Sequence, residues 1–160
     1  MAANMKAVKL RIKSVQSTMQ ITKAMELVAS GDSVSFGGSM TLSESGIMDA
    51  LNAREDITLY DRSKASTPEE IGTIYRKAFS CDTYFMSTNA VTLDGELVNT
   101  DGNGNRVAAL IFGPAQVIIV CGMNKVAIDT DAAIARVRNI ASPPNCNRLN
   151  RKTPCATTGV

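Results

Sequence analysis

The chain has no histidine and no tryptophan among its 160 residues. Without histidine it holds no Ser-His-Asp or Cys-His relay and no zinc site with an imidazole ligand. Aromatic residues are only 4% of the sequence. An excess of charge is missing too: 17 Lys+Arg against 15 Asp+Glu leaves +2, which does not argue for a nucleic-acid partner. No CxxC pair occurs. Cys81, Cys121, Cys146 and Cys155 are separated by 40, 25 and 9 positions, so neither a dithiol redox motif nor a compact metal knuckle is written here, and no metal site is expected. No apolar run is long enough to cross a bilayer, and the basic start leads into mixed residues rather than a signal-peptide core. Reduced thiols and a cytoplasmic location are the resulting expectation.

What is present is 44% apolar and 20% charged, a composition that suits one packed domain. The charge is unevenly placed. Residues 1–30 carry a net +4 and residues 31–160 a net −2, so a boundary near Gly31 is expected. Before it, Met5, Val8, Ile12, Val15 and Met19 recur at spacings of 3 and 4, and Met25 and Val28 continue the stripe. This pattern predicts an amphipathic helix over about 5–29, either covering a sheet or seated in a coiled coil, and self-association through it is one consequence.

After Gly31 the period changes. Short strands are predicted at 33–36, 57–60, 83–86 and 117–121, the last as a buried central strand because it is the most apolar run. Helices are predicted over 41–51, about 67–80, 106–112 and 129–140, and a loop-like tail from Ala141. Thr67-Pro68-Glu69-Glu70 carries the features of a helix start: a hydroxyl cap, proline in the first turn, and acids near the positive end of the helix dipole. Strands alternating with helices predict an α/β fold with a mainly parallel sheet and flanking helices. In such sheets the loops after the strands collect at one edge, and ligands bind there.

Candidate site residues follow from that geometry. Gly37, Gly38 and Ser39 join a strand to a helix, where backbone amides and a hydroxyl suit an anion; a tight turn that merely needs glycine is the alternative. Asn89 follows the third strand. Glu96 to Arg106 is the densest polar stretch, with Asn99, Asp101, Asn103 and Asn105 spaced by glycines. Glu96 and Asp101 are its only acids and are the candidates for acid–base or nucleophilic work, although Asn, Asp and Gly are also turn formers. Asn124 and Lys125 follow the most apolar strand and would rim the same edge, with Lys125 facing an anion or simply solvent.

Two resemblances cover different parts of the chain. "SVSFGGSMTLSESGIMDAL" (33–51), "YDR" (60–62), "TPEEIGTIYRKAF" (67–79), "TNAVTLDGELVNTDGNGNRVAALIFGP" (88–114), "VIIVCGMNKV" (117–126) and "RKTPCATTG" (151–159) resemble the LUD (lactate utilisation) domain family over residues 31–159. The resemblance implies a fold similar to the ribose-5-phosphate isomerase and CoA transferase-like group. It also implies a role in oxidising L-lactate to pyruvate beside iron–sulfur partner proteins, with a small anionic metabolite as ligand. It names no cofactor for this chain. "MKAVKLRIKSVQSTMQITKAMELVAS" (5–30) is similar instead to the N-terminal helix of the rotary ATP synthase gamma subunit. The expectation is a gamma-like helix over 1–30 joined to a LUD domain over 31–160 that is shortened at both ends. Two further functional expectations stay open: a gamma-like fragment that binds a rotary ATPase partner, and an acyl or CoA transferase-like enzyme using Glu96 or Asp101.

Overall fold

The computed structural model describes residues 21–154. The predicted stripe from Met5 to Met19 and the thiol of Cys155 lie outside those residues. Residues 21–26 are helical (α1). There follow β1 (Ser33–Phe36), α2 (Met40–Glu44), α3 (Ile47–Asn52), β2 (Thr58–Tyr60), α4 (Pro68–Ala78), β3 (Thr83–Met86), β4 (Ala90–Thr92) and β5 (Leu97–Val98). The remainder is α5 (Asn105–Ile111), β6 (Gln116–Ile119), β7 (Val126–Ala127), α6 (Thr130–Arg136) and α7 (Ser142–Arg148).

The four predicted strands form one parallel sheet in the order β2-β1-β3-β6. Alternation along β3 sends its side chains to two different cores. Phe85 packs with Val34, Leu42, Ile47 and Leu51 under α2 and α3, while Tyr84 and Met86 pack with Ala78, Cys81 and Ala109 under α4 and α5. Helices therefore cover both faces. Ala24 and Val28 belong to the first core, at 9% and 4% exposure, so the chain just before Gly31 is anchored on the sheet. Burying a side chain such as Val28 is worth about 1.5–3 kcal/mol. At the same, amino-terminal end of the strands, Asp82 accepts from the amide and the hydroxyl of Ser33 at 2.8 and 2.6 Å, which pins the start of β3 to the start of β1.

The start of α4 is as predicted. The Thr67 hydroxyl accepts from the Glu70 amide at 3.2 Å, and the Glu70 carboxylate accepts from the Thr67 amide at 3.2 Å. This reciprocal cap satisfies two amides that the helix itself cannot.

Three expectations are corrected. The helix predicted over 41–51 is two helices, because Gly46 takes φ 80°, a left-handed conformation that side-chain-bearing residues seldom adopt. The apolar run 117–121 is not central: β6 lies at one edge of the sheet among the described residues and is only half-buried, while β1 and β3 occupy the centre. The tail from Ala141 is helical as far as Arg148 and loop-like only over 149–153. A π-helical turn, Val137–Ala141, carries α6 directly into α7, whose first positions are Ser142, Pro143 and Pro144. Proline lacks an amide hydrogen, and the first turn of a helix does not need one.

A second sheet, order β5-β4-β7, was not predicted. Its strands are two or three residues long, too short to show a period. It packs against α6 through Ala90, Ala127, Ala133 and Val137.

Candidate functional site

The chain runs from β1 to β2 on one side and returns to place β3 on the other side of β1. The strand order thus reverses between β1 and β3, and the crevice beyond the carboxyl ends of these two strands is where an open parallel sheet has room for a ligand. Gly37 follows β1 and Ser87 follows β3, with the Gly37 amide donating to the Phe85 carbonyl at 2.8 Å. Ser39 caps α2 by accepting from the Thr41 amide at 3.2 Å.

Three cations touch the stretch from Gly37 to Thr41. The first is Lys125, in the 3₁₀ turn Met123–Lys125 after β6. Its ammonium donates to Thr41 Oγ1 at 2.8 Å and to Ser87 Oγ at 2.6 Å, so it bridges the two sides of the crevice. An ammonium has three donors, and these bonds use two. Burial pushes the Lys125 ammonium below its usual range; nearby Cys121 and Glu44 oppose that shift, and Arg136 and Arg106 add to it.

The second is Arg62, in the 3₁₀ turn Arg62–Lys64 after β2. Asp61 is buried and caps this turn by accepting from the Ser63 amide and hydroxyl at 2.8 and 2.7 Å. The Arg62 guanidinium lies 5.6 Å from the centroid of the Tyr75 ring, a cation–π distance. A Cβ on residue 38 would overlap Arg62 Nη2, so glycine there makes room for the arginine.

The third, Arg106, is fully occupied. Its Nε donates to Asp101 Oδ1 at 2.8 Å, and Nη1 to the Ser87 carbonyl and Asn99 Oδ1, both at 2.7 Å. Nη2 donates to Asn89 Oδ1 at 2.9 Å and to the Thr100 carbonyl at 3.3 Å. That uses all five N–H donors of a guanidinium. Arg106 is a hub that fixes the connections β3–β4 and β5–α5, and its stem packs over Gly37, whose Cβ would stand 3.5 Å from Arg106 Cδ.

The predicted site residues divide accordingly. Gly37, Gly38, Ser39 and Lys125 come together at the crevice. Asn89, Asn99 and Asp101 surround Arg106; Asp101 also accepts from the Val107 amide at 2.8 Å, and Asn99 from the Asn89 amide at 3.1 Å. Asn103 accepts from Arg151 at 3.0 Å, and Asn105 begins α5. Asn124 is exposed, and its carbonyl accepts from Arg136 Nε at 3.0 Å. Glu96 is exposed in the β4–β5 turn and accepts from Thr130 Oγ1 at 2.6 Å and Thr92 Oγ1 at 3.4 Å, apart from the other candidates. Sequence reasoning did not single out Arg62, Thr41, Ser87, Arg106 or Tyr84. Ser87 could have been found, because it directly follows a predicted strand.

Among the described residues no group of three or more acidic, cysteine or histidine side chains could hold a metal ion, and no helix is long and apolar enough to cross a membrane.

The described residues thus form a mainly parallel α/β sheet with Lys125, Arg62 and Arg106 beside the point where its strand order reverses. The sequence profile of the LUD domain matches residues 1–159, and the chain belongs to the LUD domain family, which marks it as a lactate-utilisation-related protein. That match runs through the first 30 residues as well as the rest. A second, short similarity accords with the gamma-like stretch: 28 residues are 86% identical to the ATP synthase gamma chain of Ruminococcus albus. They make up 18% of this chain and span only 10% of that curated relative's length.

Proposed function

We propose that the chain is a component of L-lactate utilisation that binds a small anionic metabolite, a carboxylate such as lactate or pyruvate, at the crevice between β1 and β3. The observation that carries this reading is the Lys125 ammonium, held half-buried between Thr41 and Ser87 at the strand-order reversal. A cation kept in a partly desolvated place attracts an anion more strongly than one in water. Arg62 on Gly38 adds a guanidinium, which matches the two oxygens of a carboxylate. In lactate oxidation the domain would act beside iron–sulfur proteins that carry the electrons.

An acyl or CoA transferase-like reaction needs an available carboxylate nucleophile. Asp101 has its two oxygens on Arg106 and the Val107 amide, and Glu96 is bound to threonines away from the crevice, so binding is favoured over acyl transfer. Residues 1–30 we read as a gamma-like appendage to a LUD domain over 31–160, anchored through Ala24 and Val28.

Calorimetric titration of the full chain with L-lactate and pyruvate tests the reading. Lys125→Met should weaken binding about tenfold or more, the worth of one charged hydrogen bond. Failure of the wild-type chain to bind either acid, or unchanged affinity in a folded Lys125→Met variant, would remove it.

A further inference from the structure

Tyr84 sits on β3 in the middle of the sheet and is 2% exposed. Packing alone would be served by phenylalanine, as at the next position. Its hydroxyl oxygen has no hydrogen-bond partner among the described residues. Yet no fully enclosed side-chain nitrogen or oxygen among them lacks a partner. The Tyr84 oxygen therefore opens onto space that a water or a small molecule can reach. Its direction is fixed by Gly37: a Cβ there would lie 3.3 Å from the hydroxyl, and the same Cβ would meet the stem of Arg106. The neighbouring Gly38 is where Arg62 is seated. A buried phenol thus points at the start of the crevice loop, beside an arginine whose described contact is the Tyr75 ring.

We propose that the Tyr84 hydroxyl and the Arg62 guanidinium form a two-point seat for a carboxylate that carries an oxygen on the adjacent carbon. Arg62 takes the carboxylate and Tyr84 donates to the neighbouring carbonyl or hydroxyl oxygen. This rests on the anion reading above and adds to it the group that selects among anions. Burial pushes the Tyr84 hydroxyl up to about 12, against the pull of Arg62 and Arg106. At neutral pH the phenol keeps its proton and acts as a donor, which suits a carbonyl or hydroxyl oxygen. A buried donor with a vacant partner discriminates strongly, because an analogue without the oxygen leaves it unpaired.

The experiment compares pyruvate, propionate and inorganic phosphate as calorimetric titrants of the full chain. The wild-type chain should bind pyruvate about tenfold more tightly than propionate, one hydrogen bond's worth. Tyr84→Phe should abolish that gap by weakening pyruvate alone, and its melting temperature without ligand should not fall, because only an unpartnered oxygen is lost. Gly37→Ala crowds the same hydroxyl and should narrow the gap too, which keeps the test intact if Tyr84→Phe fails to fold. Arg62→Gln should weaken both acids alike. A gap that survives in folded Tyr84→Phe overturns the role of Tyr84 while leaving the anion site standing. Phosphate bound more tightly than pyruvate overturns the carboxylate assignment, and two acids indifferent to Arg62→Gln overturn the seat while the anion reading at Lys125 stands on its own test.

Discussion

Replacing Arg106 by methionine is expected to cost far more than an average substitution. The Arg106 side chain is 15% exposed and that of its partner Asp101 13% exposed, with 2.8 Å between Nη2 and Oδ1. Methionine fills much of the stem's volume but leaves five acceptors without their donor. Four of them are uncharged: the Ser87 and Thr100 carbonyls and the Asn89 and Asn99 side chains, of which the two asparagines keep other partners. The fifth is a carboxylate, still supported by the Val107 amide. Removing one member of a buried ion pair costs roughly 3–5 kcal/mol, and the surviving amide bond argues for about 3. Native domains have only about 5–15 kcal/mol in hand. For a domain near this size about 3 kcal/mol corresponds to a fall in melting temperature of roughly 6–12 °C. Urea unfolding followed by circular dichroism gives the number directly. Asp101→Asn should recover part of the loss in the Arg106→Met background, since it removes the stranded charge. A loss below about 1 kcal/mol, or no coupling between the two positions, would refute the hub argument.

Two further outcomes follow from burial and charge. Iodoacetamide at pH 8 should label Cys121, which is exposed, and leave Cys81 untouched in the folded chain, because burial pushes the Cys81 thiol up to about 11; mass spectrometry of the tryptic peptides reads this out. Acid should weaken the fold in a defined window. Hydrogen bonding by Arg54 holds Asp56 down to about 2, and Ser33 holds Asp82 below its ordinary value of 3.8. Depressed carboxylates stabilise fully above the unfolded value and lose that contribution as pH falls, so the melting temperature should change little from pH 7 to about 5 and drop below about 4, less steeply in Asp82→Asn.

The parallel sheet was legible because each of its strands is a short run of apolar or β-branched residues between polar or glycine-rich turns, and the start of α4 because its cap is local. Position within the sheet was not legible. An apolar run such as Val117–Val120 is equally suited to a centre or an edge, and only the partners of β1 and β3 decide. Pro143-Pro144 read as a loop because the preceding turn, which they continue as a helix start, has no sequence mark. In the site, Gly37, Gly38, Ser39 and Lys125 were visible as loops that follow strands. What Asn89, Asn99 and Asp101 hold was not, because their shared partner Arg106 lies 5 to 17 positions away and its demand for five acceptors appears only in three dimensions. Glu96 likewise depends on Thr130, a contact spanning 34 positions.

The π-helical turn between α6 and α7 has a meaning in terms of chain length. Such a turn closes on the fifth residue rather than the fourth, so it holds one residue more than the α-helix around it. Ala133 and Val137 face the second sheet before it, whereas Ile140 is 59% exposed. One residue of excess rotates everything beyond it by about 100°. Deleting a single residue within Val137–Ala141 would leave an unbroken α-helix and turn a different face of Ser142–Arg148 toward the domain, so at this point a one-residue change in length acts as a rotation rather than a break.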